Sequence, residues 1–392
     1  MMVSFWEYGS IIIFYAIILL LVYFFRKKLR IEHKFIVMWK TKLGLRWMDD
    51  LSTRFRSFIV LLGYISIGLG FIGMAFIIVY MFVILIKMLI TPVVTAQVGV
   101  ALPGLLKVPG LGTLPFWHWL ISIFIIAACH EFAHGVVARA HKVKIKSSGF
   151  LMWGPILGAF VEPDEKQLSK MSDSKQYSIF AAGPVVNIVM AVVAYLILIF
   201  AIPSLNATAV EPAGVVIIPI LNQSYPLELA GINESIVINE INGVPILNVD
   251  NFSTIIRTIG PNETVTIRSN ETYYTVTTVR NPNFPGDRRG FFGLYGGNIL
   301  RPRTFFQKKT DVSHAWFNFV KFIQDLVIWF FILCSGIGLA NLLPLGPVDG
   351  GRMVLTYLRS KYSEDKARHI WGVVSITTLV LIILIFIVQF VK

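Results

Sequence analysis

Two histidines and a glutamate form a His-Glu-x-x-His pattern within residues 128–135. Residues four apart share one face of an α-helix, so His130 and His134 point to the same side and Glu131 stands beside them. Two imidazoles in this arrangement suit a Zn²⁺ ion, and the carboxylate can accept a proton from metal-bound water. A chance match is the alternative. Histidine and glutamate inside an apolar run are costly unless they face a partner or a water-filled cavity, which favours the metal interpretation.

The composition indicates a membrane protein. The chain has 392 residues, 55% of them hydrophobic, and its mean hydropathy of +0.70 is too high for a soluble globule. The formal net charge of +13 comes from basic residues that cluster beside apolar runs. These residues therefore indicate a lipid bilayer as the partner, with no nucleic acid. Cys129 and Cys334 lie in apolar runs and predict neither a disulfide framework nor a cysteine zinc cluster.

About six apolar segments are predicted to span the bilayer, at 5–25, 57–90, 116–140, 178–202, 313–343 and 371–391. The first is interpreted as a retained span, since no positive charge precedes it as in a signal peptide. Basic clusters follow the first, third and fifth spans, which puts those loops in the cytoplasm and both termini outside. The metal motif then lies near the cytoplasmic end of its span.

Three connecting segments carry their own predictions. Residues 91–115, broken by four prolines, are expected to form an outer loop. Residues 147–162 are too short and irregular to span, so we expect a re-entrant β hairpin beside the metal. Residues 203–301 have the strand and turn pattern of a soluble α/β domain, including an Asn242-Gly243 turn. All six glycosylation sequons lie in this last segment, which places it outside the cell, at Asn206, Asn222, Asn233, Asn251, Asn262 and Asn270.

A catalytic zinc ion needs a third protein ligand, and Asp349 is the best candidate. Pro344, Gly346 and Pro347 cannot continue an α-helix, so the chain is expected to unwind near the inner face. Asp349 is the acidic residue of this stretch, and an unwound segment lets its short carboxylate reach across the helix bundle.

The His-Glu-x-x-His motif, together with Asn341-x-x-Pro-x-x-x-x-Asp349-Gly, resembles the site-2 protease family of intramembrane zinc metalloproteases. The resemblance implies one Zn²⁺ bound by His130, His134 and Asp349, with Glu131 as general base. It covers a three-helix core at about 116–202 and 313–357. It also covers Gly183-Pro184-x-x-Asn187, whose asparagine would contact the substrate or the oxyanion. An interhelical hydrogen bond that holds the bundle is the other interpretation of Asn187. Gly346 departs from the Pro-x-Pro of many members.

Residues 226–246 resemble the PDZ repeat found in many such proteases. The resemblance thus implies a polytopic α-helical membrane protein with a re-entrant β hairpin and one extracytoplasmic PDZ-like α/β domain. That domain would exclude substrates with intact ectodomains, bind a peptide ligand, or act as a spacer. The expected domain boundaries are 1–115, 116–202, 203–301, 302–357 and 358–392.

The expected activity is hydrolysis of peptide bonds in or near the transmembrane segments of membrane proteins, as part of regulated intramembrane proteolysis. An unwound substrate segment would pair with the edge of the hairpin. Three alternatives remain open. A metal transporter would not need Glu131 between two ligands, a prenyl-protein peptidase normally takes a glutamate as third ligand, and a non-catalytic scaffold would tolerate loss of Glu131.

Overall fold

The computed structural model describes residues 5–26, 29–32, 36–90, 99, 101–104, 106–108, 111–153, 156–220, 225–282, 286–294 and 303–391. The chain divides into two compact units, residues 1–200 with 324–392, and residues 201–323. The helices are, in chain order, α1 Phe5–Phe25, α2 Leu45–Arg54, α3 Arg56–Ile90, α4 Phe116–Ala140, α5 Glu165–Leu168, α6 Asp173–Leu196, α7 Ile202–Asn206, α8 Pro226–Leu229, α9 Val249–Thr258, α10 His314–Asn341, α11 Asp349–Lys361 and α12 Glu364–Val391.

The strands are short and fall in both units. They are β1 Arg30–Glu32, β2 Ile36–Thr41, β3 Lys107–Val108, β4 Gly112–Thr113, β5 Ile145–Trp153, β6 Ile156–Pro163, β7 Val210–Ile217, β8 Ile236–Ile238, β9 Glu240–Ile241, β10 Val244–Pro245, β11 Thr264–Ser269, β12 Thr272–Thr277 and β13 Arg303–Lys308.

Five helical stretches of the described residues are long and apolar enough to cross a membrane, which fits the predicted polytopic protein. They are Arg56–Ile90, Phe116–Ala140, Asp173–Asn206, His314–Asn341 and Glu364–Gln389. The third continues from α6 through a π-helical turn, Ile197–Ala201, into α7. α1 contributes only a shorter apolar stretch, Gly9–Phe25, so the count of six spans stays a prediction.

Small residues let the helices of the first unit pack closely. A Cβ on Gly63 of α3 would lie 3.2 Å from Val137 of α4, and one on Gly70 would lie 3.1 Å from Ala181 of α6. Val137 and Ala181 belong to one buried cluster that also contains Leu342 and Met353. Gly63 and Gly70 of the second predicted span therefore serve close helix contact, whereas a Cβ on Gly68 would meet nothing within 4 Å.

The predicted hairpin is present as β5 and β6, and the two residues between these strands lie outside the described ones; its re-entry into the membrane stays a prediction. It belongs to a four-stranded antiparallel sheet with the order β1-β2-β5-β6. β2 pairs with β5 from Ile36 opposite Trp153 to Thr41 opposite Ser148. The basic segment before α3 was expected to be a loop. It contains the six-residue strand β2, which pairs with the β5 edge of the hairpin.

The second unit contains two sheets, β13-β7-β8 and β10-β9-β11-β12, around a buried aliphatic cluster. Asn242 and Gly243 both have positive φ, 49° and 80°, and Ile241 pairs with Val244 on either side of them. This two-residue turn is the one predicted from the Asn-Gly pair. Of the predicted sequons, Asn222 lies outside the described residues, as do residues 91–98 of the predicted outer loop.

Candidate metal centre

The His-Glu-x-x-His motif lies in the second half of α4. His130 is buried and His134 is half-buried, one turn apart on the same face. Their Nε2 atoms are 3.0 Å apart. The two imidazoles therefore converge on one point instead of packing as separate core residues.

Asp349 comes to the same point from a break between two helices. α10 ends at Asn341, and α11 begins at Asp349, with Val348 as its N-cap in extended conformation. A Cβ on Gly350 would meet the carbonyl oxygens of Leu342 and Leu343, so only glycine lets the new helix start this close to the unwound segment. The predicted unwinding is present, and the start of α11 is a favourable place for a carboxylate.

The three side chains form a group that could hold a metal ion. Asp349 Oδ2 lies 3.1 Å from His130 Nε2, and Asp349 Oδ1 lies 3.4 Å from His134 Nε2. Ligands about 2.0–2.2 Å from a tetrahedral zinc ion are about 3.3–3.5 Å from one another. The observed separations are within a few tenths of an ångström of this value, so the donor set fits zinc.

Gly183 of α6 supplies the open side of this site. A Cβ at this position would lie 2.7 Å from His130 Nε2 and closer still to His134 Nε2. The methyl group of an alanine would therefore occupy space directly against the converging nitrogens. Glycine at position 183 of the Gly183-Pro184 pair therefore leaves room beside the Nε2 atoms of the two histidines.

A backbone carbonyl behind His134 sets the tautomer that a metal ligand needs. His134 Nδ1 lies 2.6 Å from the carbonyl oxygen of Ile179, a distance at which Nδ1–H donates to that oxygen. A neutral imidazole with its proton on Nδ1 presents the lone pair of Nε2. His134 is therefore oriented with its free lone pair toward Asp349 and His130.

Glu131 lies beside the group and does not belong to the three-residue set among the described residues. Its Oε2 accepts a hydrogen bond of 2.9 Å from the backbone N–H of Val161 in β6. Oε1 is left to act on a proton. The Glu131 carboxylate therefore lies between α4, which carries the His-Glu-x-x-His motif, and strand β6 of the hairpin.

The structure places Asn187 against the His130 ring. Its side chain is fully buried, and Nδ2 lies 3.1 Å from Nδ1 of His130. This is the ring nitrogen that faces away from Asp349. The contact between α6 and α4 is the interhelical hydrogen bond named as the other interpretation of Asn187, and the contact with substrate or oxyanion stays a prediction.

Two partners of the site were not found from the sequence, namely the carbonyl of Ile179 and the N–H of Val161. Both are backbone groups, which every non-proline residue carries, so residue type gives no signal for them. Only the prediction that the hairpin lies beside the metal pointed toward Val161.

The fold and the site define a polytopic membrane protein with a largely buried His-His-Asp group that could hold a metal ion, and an adjacent glutamate. Peptidase family M50, a family of zinc metalloproteases, matches residues 118–382, more than half of the chain. The chain belongs to this family, the site-2 protease family that its motifs resemble. It is also similar to an uncharacterized protein of Methanocaldococcus jannaschii, 28% identical over 244 residues, which are 60% of this chain and 56% of the relative. The chain thus matches a little over half the length of that relative.

Proposed function

We propose that this protein is an intramembrane zinc endopeptidase of the site-2 type that cleaves transmembrane segments of membrane proteins. The observation that carries the proposal is the convergence of His130, His134 and Asp349 beside Gly183, with Glu131 held next to them. A transporter would use similar ligands but has no need for a carboxylate anchored beside them.

His130, His134 and Asp349 would hold the ion, and a bound zinc ion would supply a water of lowered pKa and an electrophile for the peptide carbonyl. Glu131 accepts the proton of the attacking water at Oε1 and passes it to the nitrogen of the leaving amine. Val161 N–H fixes the other oxygen, so the carboxylate stays aligned through both proton transfers. Membrane protein interiors exclude bulk water, and water would enter from the cytoplasmic side, toward which the motif is predicted to lie.

The outer edge of β6 is the proposed docking place for the substrate. β6 is the last strand in the order β1-β2-β5-β6, so no other strand of the described residues pairs with that edge. A substrate helix has its carbonyls occupied by its own hydrogen bonds, and it must unwind before hydrolysis. Pairing with β6 satisfies the backbone of the unwound segment and brings it beside Glu131.

The unit formed by residues 201–323 is proposed to be the PDZ-like extracytoplasmic domain. Its two sheets and the helix α9 support this assignment. We assign it the function of excluding substrates whose ectodomains are intact, with peptide binding as the competing function. The protein then acts in regulated intramembrane proteolysis, after another protease has shortened the substrate.

Metal content and cleavage of a transmembrane peptide by the purified, full-length protein in detergent test this proposal. Glu131→Gln should keep zinc and lose cleavage by about 10²–10⁴-fold, since it removes the general base. Asp349→Asn should weaken zinc binding, whereas the control Asp250→Asn on the exposed side of α9 should change neither. A zinc-free wild type, or a Glu131→Gln variant that cleaves normally, would refute the protease and favour the transporter or scaffold.

A further inference from the structure

Asn187 of α6 is fully buried, and α10 packs against it at two points. Its backbone carbonyl accepts a hydrogen bond of 3.0 Å from Cys334 Sγ of α10. A Cβ on Gly338, also in α10, would lie 3.1 Å from the Asn187 Cβ. α10 therefore closes over Asn187, and the side chain is confined to the space behind His130.

The two polar atoms of the Asn187 side chain differ in their hydrogen bonds. Nδ2 lies 3.1 Å from His130 Nδ1, whereas Oδ1 is buried without a hydrogen-bond partner among the described residues. Buried amide oxygens normally accept at least one hydrogen bond. A half turn about the last side-chain bond exchanges the two atoms and brings Oδ1 to His130 Nδ1.

The ring nitrogen of His130 that carries the proton determines which orientation of the Asn187 amide is compatible with metal binding. If Nδ2 donates to Nδ1, then the ring proton is on Nε2, where it can donate to Asp349 Oδ2 at 3.1 Å. A nitrogen that carries a proton has no lone pair for a metal. For Nε2 to be a ligand, the proton must be on Nδ1, and Nδ1–H then needs an acceptor.

We propose that Asn187 is a positioning residue whose amide oxygen accepts Nδ1–H of His130 and so directs the Nε2 lone pair of that ring to the metal. Its function matches that of the Ile179 carbonyl behind His134. Each of the two histidine ligands then has an acceptor on its far side, both supplied by α6. The inference rests on the proposed zinc site, but it does not require that the protein cleave peptides.

Zinc affinity of the full-length protein, measured by competition with a chelator, tests the inference without any substrate. Asn187→Leu keeps the number of non-hydrogen side-chain atoms but has no acceptor, so zinc should bind about 10–100-fold more weakly. Asn187→Asp keeps an acceptor at the same place and should restore most of the affinity. Val185→Ala, which opens a small cavity at another buried position of α6, should leave the affinity unchanged.

A second measurement needs no variant. In zinc-loaded wild type with ¹⁵N-labelled histidine, His130 should carry its proton on Nδ1 and the metal on Nε2. The opposite assignment, or equal affinities of Asn187→Leu and wild type, would overturn the inference. Normal zinc binding with slowed cleavage in Asn187→Leu would instead make Asn187 a substrate contact. A wild type that binds zinc and cleaves nothing would refute only the protease.

Discussion

The carboxylate of Glu131 and the backbone N–H of Val161 are joined by a hydrogen bond of 2.9 Å. Val161 lies opposite Ser148 of β5, yet its N–H is directed away from β5 and toward α4. The hydrogen bond therefore fixes the strand that is proposed to receive the substrate to the residue that is proposed to move the proton. If both proposals hold, substrate docking and the position of the base are coupled through the N–H of Val161.

Val161→Pro should slow turnover at unchanged zinc content. Proline removes the N–H but is tolerated at the outer edge of a terminal strand. Losing a hydrogen bond to a charged group costs about 1.5–3 kcal/mol, so kcat should fall about tenfold or more. The control Ala159→Pro removes an N–H from the same edge two residues earlier and should act mainly on KM. Equal effects of both variants on kcat would contradict a direct function of Val161 N–H.

Gly183→Ala should abolish metal binding without disturbing the helix. The new methyl group would lie 2.7 Å from His130 Nε2 and would crowd His134 Nε2. We expect the zinc affinity to fall at least about a hundredfold, which is more than is typical when a hydrogen-bond partner of a metal ligand is lost. Gly68→Ala, where a Cβ meets nothing within 4 Å, is the matched control. Normal zinc affinity in Gly183→Ala would mean that the metal lies elsewhere.

Gly149→Ala should destabilise the four-stranded sheet. A Cβ at Gly149 would overlap the backbone oxygen of Trp39 in β2, which cannot move as a flexible side chain would. A cost of about 1–3 kcal/mol is expected, seen as a lower thermal midpoint in detergent. Gly158→Ala in the same hairpin makes only ordinary contact, 3.4 Å from the Leu151 side chain, and should change stability by less than about 1 kcal/mol. Similar midpoints for the two variants would argue against the β2–β5 pairing.

Stability should fall in mild acid because of His141, which follows α4. Burial lowers the pKa of His141, and the positive charges of Lys175 and Arg56 lower it further. The unfolded chain binds a proton near pH 6.5 that the folded protein still excludes. The stability that neutral His141 contributes is therefore present above that pH and is lost as the pH falls below it.

His141→Gln should flatten this dependence between pH 7.5 and 5.5, measured as the thermal midpoint. Glutamine does not titrate and can still reach Ser178, whose Oγ lies 2.9 Å from His141 Nε2. His369→Gln removes an exposed imidazole and serves as the control. An unchanged slope in His141→Gln would show that other groups cause the acid sensitivity.

Much of the site could be predicted because its chemistry depends on residue type. His130 and His134 at a four-residue spacing, and Asp349 after two helix-breaking prolines, each have a local signal in the sequence. The structure brings their ligand atoms to between 3.0 and 3.4 Å from one another. The long helices were also predictable, since uninterrupted apolar runs are their signature.

What could not be predicted depends on contacts between distant segments. β2 is only six residues long, and its partner β5 lies more than a hundred residues later. The position of Asn187 behind the His130 ring follows from the packing of α6 against α4. Residue type alone allows an oxyanion contact equally well, and only the distances show the hydrogen bond to His130.

The strand order also has a consequence for biosynthesis. Thr41 of β2 precedes Ser148 of β5, its partner, by 107 residues. β1 precedes β2 and can pair with one of its edges, but the edge of β2 that pairs with β5 must remain open until α3, α4 and the hairpin have left the ribosome. An unpaired strand edge promotes association with other chains. The interval between synthesis of β2 and β5 is thus the period in which this protein most needs protection from aggregation.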